Sequence, residues 1–119
     1  LELLLSLALK WGQDSGAGLT RALAVLTSAP AGVLGSALGT LQASIGRLAE
    51  GGVADVCIFD PAAEWTVTAD ALHSQGKHTP FSGYALPGRV RATIVAGQVA
   101  FESATSPSGT RSHEARRNA

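Results

Sequence analysis

Residues 51–61 read Gly-Gly-Val-Ala-Asp-Val-Cys-Ile-Phe-Asp-Pro, and this stretch decides the fold of the second half of the chain. Four consecutive apolar residues, Val56 to Phe59, lie between a Gly-Gly turn and an Asp-Pro turn. This pattern predicts a short buried strand. Asp60 is interpreted as the residue that initiates the following turn, and Cys57 as a buried, inert thiol.

Strands and turns also dominate the residues after this segment. Residues 64–68 alternate in polarity and predict a second strand, and residues 70–74 predict one helical turn that the Thr68 hydroxyl caps. Residues 75–88 contain three glycines and two prolines and predict a long irregular loop, a kind of segment that is usually functional or packed by its own side chains. Two alternating runs around an Ala-Gly pair predict a β-hairpin over residues 89–102.

The first half of the chain is predicted to be helical. Residues 1–11 carry leucine on more than one side, so this helix should be covered on more than one side. Gly12 is interpreted as the glycine that ends it. A second helix is predicted from about 19 to 27, and Pro30 starts a short third helix over residues 31–34. Because the first helix has neither an N-cap nor a preceding turn, we expect the chain to be a segment of a longer protein.

Composition excludes several classes of function. Nine basic and nine acidic residues cancel, which leaves no excess positive charge for binding nucleic acid. The single cysteine excludes an internal disulfide and fits a reducing compartment. The apolar run of residues 1–9 is about half of the roughly 20 residues that a membrane-spanning helix needs, so we expect no membrane association. The tail arginines are interpreted as part of a solvated, disordered end: Arg111, Arg116 and Arg117.

Residue types that carry chemistry are few and scattered. The three histidines, His73, His78 and His113, do not have the spacing of metal ligands. His78 lies in the predicted loop and is interpreted as a hydrogen-bonding anchor rather than a ligand. Asp55 and Asp60 flank the predicted strand about 17 Å apart, too far to share a proton or a metal. Direct inspection therefore finds no catalytic, cofactor-binding or metal-binding residue.

Several segments nevertheless resemble one enzyme family. Residues 51–61 resemble the strand that opens the C-terminal β-subdomain of amidohydrolases. Residues 74–84 and 86–97 narrow this to bacterial dihydroorotases, because the Thr-Pro-Phe loop and the Pro-Gly-Arg-Val segment look like theirs. Residues 1–9 resemble the family's Leu-Glu-Thr-x-Leu-Pro-Leu-x-Leu helix, and residues 27–31 its (Thr/Ser)-x-Asn-Pro-Ala turn. The chain departs from these patterns at four positions: Ser6, Ala29, Gln75 and His78.

The resemblance implies an α/β fold in three parts. Residues 1–44 would be the last helices of an amidohydrolase (β/α)₈ barrel, and residues 45–102 the strands and loop of its small composite β-sandwich. Residues 103–119 lie beyond the resemblance, and their lack of periodicity and their composition predict a disordered and dispensable tail. In the family the metal ligands and the catalytic aspartate precede the helix that opens this chain, so the resemblance carries over no site residue.

The function that the resemblance implies belongs to a parent enzyme. Dihydroorotases are zinc-dependent and interconvert N-carbamoyl-L-aspartate and L-dihydroorotate in pyrimidine biosynthesis, and we expect a cytoplasmic homo-oligomer. This fragment would bind no zinc. One alternative is a dihydroorotase-like protein that has lost its metal ligands and is a structural partner of aspartate carbamoyltransferase. An allantoinase or hydantoinase is a third, less favoured reading.

Overall fold

A computed structural model describes residues 1–104, with helices in the first part and strands in the second. The helices are α1 (Leu4–Asp14), α2 (Gly18–Ala24) and α3 (Ser28–Leu34), followed by a 3₁₀ segment, Gly35–Ala43. The strands are β1 (Val56–Thr66), β2 (Ala85–Val95) and β3 (Gln98–Glu102). A single 3₁₀ turn, Ala69–Ala71, lies between β1 and β2, and the Thr68 hydroxyl accepts a hydrogen bond from the Ala71 N–H as predicted.

Gly12 lies inside α1 and does not end it. The helix continues to Asp14, whose carboxylate pairs with Lys10 at 3.1 Å. Gly12 is buried, and a Cβ added there would lie 2.8 Å from the Ala22 Cβ and 3.0 Å from the Gly18 carbonyl oxygen. The prediction that Gly12 terminates the helix is therefore wrong. The glycine is needed because α1 and α2 approach each other closely at this point.

The segment Gly18–Ala43 is an apolar stretch whose backbone turns three times. Its length and composition would suit a membrane-spanning helix. This is weak evidence for a span, because a core helix of a soluble protein can be equally long and apolar. The backbone leaves the helical region at Thr27 (φ −124°, ψ −85°), Gly35 (φ 48°, ψ −125°) and Gly39 (φ 57°, ψ −130°). Pro30 lies in the first turn of α3, as predicted, where its missing N–H removes no helical hydrogen bond.

The three strands form one antiparallel sheet in the order β1-β2-β3. β1 contains both strands predicted after residue 55, and its pairing with β2 is irregular between Asp60 and Glu64. Asp60 Oδ1 accepts hydrogen bonds from the backbone N–H groups of Ala62 (3.0 Å) and Ala63 (3.2 Å), which fits its predicted role in a turn. β2 starts four residues before the predicted hairpin, so the irregular loop ends at residue 84 and not at residue 88.

The β2–β3 hairpin confirms the prediction for residues 89–102. Its two turn residues, Ala96 (φ 49°) and Gly97 (φ 78°), both have positive φ, as a tight two-residue turn requires. The ladder continues past β3, because the Ser103 N–H donates to the Arg91 carbonyl oxygen at 2.8 Å. Residues 105–119 lie outside the described residues, so the predicted disorder of the tail is untested there, as are the domain boundaries.

The core of the described part of the chain is small. Its buried apolar residues are Leu9, Ala22, Val67, Leu72 and Leu86. Val67, Leu72 and Leu86 form one cluster, against which Leu3 and Leu7, at the start of the chain and in α1, and Trp65 of β1 pack. Cys57 and Ile58 are exposed in β1, so the prediction of a buried strand with a buried thiol is wrong. The reason is that β1 is an edge strand, and its packing contacts in this chain are mainly with β2.

Candidate functional site

A groove of about 380 Å³ separates the start of α1 from the loop that precedes β2. Its apolar wall includes Leu3, Leu4, Leu7, Leu72 and Phe81. Its polar groups belong to Glu2, Ser74, His78 and Thr79. The groove therefore brings together the two segments, residues 1–9 and 74–84, that carry much of the sequence resemblance.

Glu2 joins the two sides of this groove. Its Oε1 accepts a hydrogen bond from the His73 N–H at 3.0 Å. Its Oε2 accepts from the Ser74 N–H at 3.0 Å and from the Ser74 hydroxyl at 2.8 Å. Desolvation by itself raises the pKa of Glu2, but these hydrogen bonds and the nearby His73 imidazole outweigh it, so that the pKa is lowered.

The loop between the 3₁₀ turn and β2 is organised by contacts of its own. The Lys77 ammonium donates a hydrogen bond to the Leu72 carbonyl oxygen. The rings of Phe81 and Tyr84 meet edge to face, with their centroids 5.9 Å apart. The Val67 N–H, just after β1, donates to the Tyr84 carbonyl oxygen at 2.9 Å. The loop is thus packed by its own side chains, one of the two possibilities that its length predicted.

A second polar cluster joins α1 to the sheet. The Ser6 hydroxyl, 2 % exposed, donates to the Gly88 carbonyl oxygen at 2.9 Å. The Trp65 Nε1–H lies 3.0 Å from the same carbonyl oxygen and 3.1 Å from the Ser6 Oγ. Leu9 covers Gly88 so closely that an added Cβ would overlap its Cδ1. Positive φ (87°) and close contact together explain why glycine occupies position 88.

The structure separates the histidines. The His73 ring packs edge to face on Phe101, with centroids 5.2 Å apart, and only its backbone N–H contacts Glu2. His78 lines the groove, but its ring forms no hydrogen bond with any residue of the described part of the chain. The anchor of the loop is therefore Glu2, and the anchoring role predicted for His78 is not seen within residues 1–104. His113 lies outside that range.

The aspartates and the cysteine also have separate environments. Asp55 Oδ1 accepts a hydrogen bond from the Ala96 N–H at 2.8 Å, which fastens the hairpin turn. Asp60 lies 3.5 Å from Arg91 across a half-exposed ion pair. The two carboxylates thus bind different groups. Burial raises the pKa of the Cys57 thiol.

Within residues 1–104 no group of three or more His, Cys, Asp or Glu side chains could hold a metal ion.

Inspection of the sequence missed the polar residues that join these elements. Glu2 and Ser6 are the polar residues of a leucine-rich run, and Trp65 carries an indole N–H that needs an acceptor when it is partly buried. These features were available signals. The sequence could not show that Glu2 has a partner 71 residues away and that Ser6 has one 82 residues away.

Comparison with characterised sequences defines the relationship of the chain. It is 39% identical over 103 residues, 87% of its length, to a dihydroorotase of Citrifermentans bemidjiense. The chain is a relative of the dihydroorotases. It is also 41% identical over 101 residues (85% of the chain) to a dihydroorotase-like protein of Pseudomonas aeruginosa, and 45% identical over 82 residues (69%) to a dihydroorotase of Anaeromyxobacter dehalogenans. No protein-family model matches it.

The dihydroorotase relationship confirms the resemblance seen in the sequence. The matched regions make up 23%, 22% and 17% of the three relatives, so the chain spans less than a quarter of the curated relatives that it matches. The mixed helices and strands and the small antiparallel sheet confirm the α/β class. The assignment of these elements to a barrel and a sandwich stays a prediction.

Proposed function

We propose that this chain is the C-terminal portion of a dihydroorotase, a zinc-dependent cyclic amidohydrolase of the cytoplasm. Its parent enzyme interconverts N-carbamoyl-L-aspartate and L-dihydroorotate in pyrimidine biosynthesis and forms a homo-oligomer. The observation that carries the proposal is 39% identity over 87% of the chain to a protein of that name.

The exposed apolar surface of the helices supports a position inside a larger protein. Large apolar side chains that are exposed in the helical part include Leu4, Trp11, Leu19, Val25, Val33, Leu34 and Leu41. A surface of this kind is unusual in an independent domain and marks an interface. In a (β/α)₈ barrel the outer helices cover such surface against the strands and against neighbouring helices. We therefore assign residues 1–44 to the last helices of the barrel.

The sheet supports the second half of the assignment. With three strands in the order β1-β2-β3, both outer strands keep an edge that is unpaired by the described residues. Exposed edges are usually covered or paired in stable proteins. In the composite sandwich that we propose for residues 45–102, strands from elsewhere in the parent chain would pair with or cover this sheet.

The described residues do not fit a zinc site. A catalytic zinc needs about three converging protein ligands, and residues 1–104 contain no such group. We therefore propose that the zinc ligands and the catalytic groups lie in the part of the parent protein outside this chain. The contribution of the chain is to cover the barrel and to position the small sheet beside it.

A second candidate is a dihydroorotase-like protein without catalytic activity that is a structural partner of aspartate carbamoyltransferase. The observation that favours it is 41% identity to a protein named dihydroorotase-like. The chain is about equally similar to members with either name, so the choice depends on residues outside it. Departures from the dihydroorotase pattern at Gln75 and His78 leave room for this alternative.

The experiment that separates the two is expression of the complete reading frame that encodes this chain. We expect stoichiometric zinc by elemental analysis and conversion of L-dihydroorotate to N-carbamoyl-L-aspartate. A zinc-free, inactive product that co-elutes with aspartate carbamoyltransferase would instead establish the second candidate. An active enzyme that prefers allantoin or hydantoin would contradict both.

The 119-residue chain provides the complementary test. Because no ligand set lies within residues 1–104, we expect no hydrolase activity and no tight zinc binding from the chain alone. Equilibrium dialysis that showed stoichiometric zinc at submicromolar affinity would contradict the assignment of the metal site to the remainder of the parent protein.

A further inference from the structure

We propose that Glu2 and the backbone at His73 and Ser74 form an acid-sensitive strap. Ionised Glu2 holds the loop against the start of α1 and closes one end of the groove between them. Protonation of Glu2 releases the loop and opens the groove. This proposal concerns the chain itself and does not depend on the activity of the parent protein.

The geometry that carries the strap is a single carboxylate with three donors. Both Glu2 oxygens are used, and the three distances lie between 2.8 and 3.0 Å. Hydrogen bonds to a charged acceptor are stronger than those between neutral groups. Within the described residues, every hydrogen bond from the segment before α1 to this loop ends on Glu2. Loss of this one charge therefore weakens the whole polar connection.

Protonation breaks the connection for a stereochemical reason. A neutral carboxyl group keeps one carbonyl oxygen as a good acceptor, whereas its hydroxyl donates and accepts only weakly, so it cannot hold all three donors as the carboxylate does. Since Glu2 and Ser74 both line the groove, release of their contact separates its two walls at that end. Apolar packing remains in either state, because Leu3 and Leu7 pack against the cluster of Val67, Leu72 and Leu86.

The charges around the strap set the direction of its pH response. The ionisable side chains nearby are the His73 and His78 imidazoles and the Lys77 ammonium. The His73 imidazole favours the carboxylate form of Glu2 electrostatically. The pKa of Glu2 is lowered in the folded chain, so the strap is complete above the ordinary pKa of glutamate and is lost as the pH falls through the lowered value.

Hydrogen exchange of the complete protein that contains this chain tests the strap. Backbone protection of residues 72–84 is measured by mass spectrometry and corrected for the intrinsic rate at each pH. At pH 7 we expect Glu2→Gln to lose roughly three- to tenfold protection at His73 and Ser74. The wild type should show the same loss on acidification. Ser74→Ala, which removes one donor of three, should lose less.

The matched control is Glu50→Gln, which changes an exposed carboxylate that has no hydrogen bond with a described residue. It should behave as the wild type. Equal loss of protection in the β2–β3 hairpin and in the loop of Glu2→Gln would overturn the proposal, because Glu2 would then stabilise the whole fold. Protection of His73 and Ser74 within twofold of wild type in Glu2→Gln would overturn it as well.

Limited proteolysis gives an independent readout at low protein concentration. Trypsin cleaves after Lys77, inside the strapped loop, and we expect this bond to be cut several times faster in Glu2→Gln than in the wild type or in Glu50→Gln. Equal cleavage rates in all three proteins would show that Glu2 does not restrain the loop.

Discussion

The hydroxyl of Ser6 in α1 and the carbonyl oxygen of Gly88 in β2 are 2.9 Å apart, although 82 residues separate them in the sequence. The same carbonyl oxygen accepts the Trp65 indole N–H at 3.0 Å. One backbone oxygen thus connects α1, β1 and β2. Ser6 occupies the position of proline in the dihydroorotase pattern. Its hydrogen bond to Gly88 gives this departure from the pattern a structural reason.

Removal of the Ser6 hydroxyl should destabilise the chain modestly. Ser6→Ala leaves the Gly88 oxygen with its Trp65 partner, so we expect a loss of about 1 kcal/mol in the free energy of unfolding. Urea unfolding of the complete protein that contains this chain, followed by circular dichroism, measures it. Ser36→Ala, at an exposed position with no hydrogen bond among the described residues, should change stability by less than about 0.5 kcal/mol.

Proline at position 6 should cost no more than alanine there. Ser6 lies in the first turn of α1, where backbone N–H groups lack a helical partner and proline is tolerated. We therefore expect Ser6→Pro to lose about 1 kcal/mol, as Ser6→Ala does, and not the roughly 3 kcal/mol of a proline inside a helix. A loss near the larger value in the same urea experiment would show that α1 starts earlier than the structure places it.

Gly88 and Gly83 form a matched pair for testing close packing. Both have positive φ, 87° and 84°, but only Gly88 has a neighbour, Leu9, in the space that a Cβ would fill. Gly83→Ala should cost about 1–2 kcal/mol for the backbone conformation alone. Gly88→Ala should cost a further 1–3 kcal/mol because Leu9 must move. Equal losses in urea unfolding of the complete protein would mean that α1 does not pack on β2 as closely as described.

Cys57 should be accessible but slow to react. The residue is exposed on β1, and partial burial of its thiol raises the pKa of that group. Since the thiolate is the reactive form, alkylation by iodoacetamide at pH 8 should go to completion in the native chain at a lower rate than in urea. Cys57→Ser supplies the unlabelled control. A native rate equal to or above the unfolded rate would contradict the raised pKa.

The isolated 119-residue chain should associate with itself or be only partly ordered. Apolar side chains such as Val33, which is 88% exposed, and Leu34, which is 53% exposed, leave apolar surface that the described residues do not cover. Size-exclusion chromatography with near-UV circular dichroism tests this, and Val33→Ser with Leu34→Ser should reduce the association. A monodisperse wild-type monomer with a cooperative melt would show that these helices and strands close their own core, and the assignment to a larger barrel would then fail.

Local chemistry made the hairpin predictable. Its turn pair and the alternating runs on either side act over a few residues, so residues 89–102 could be identified without knowledge of the rest of the fold. The Thr68 cap and the Asp60 turn were predictable for the same reason, because a short polar side chain binds backbone groups two or three residues away. The order of helices followed by strands was also correct.

Burial was predicted less well because it depends on partners that are remote in the sequence. The apolar run at residues 56–59 looks like a buried strand, yet it became an edge strand with Cys57 exposed. Gly12 looks like a helix terminator, yet the approach of α2 makes it an interior residue. In both cases the local sequence pattern is present, but it does not identify the neighbouring element that decides whether the residue is buried.

The sequence by itself determined the α/β class, the hairpin, the presence of an irregular loop before β2 and the relationship to dihydroorotases, because each depends on local spacing or on a run of similar residues. Only the tertiary structure decided that Glu2 holds His73 and Ser74 and that Ser6 meets Gly88 and Trp65. Hydrogen bonds between groups 59 to 82 residues apart leave no periodic signal. They arise only when packing of apolar surface on α1 brings the two halves of the chain together.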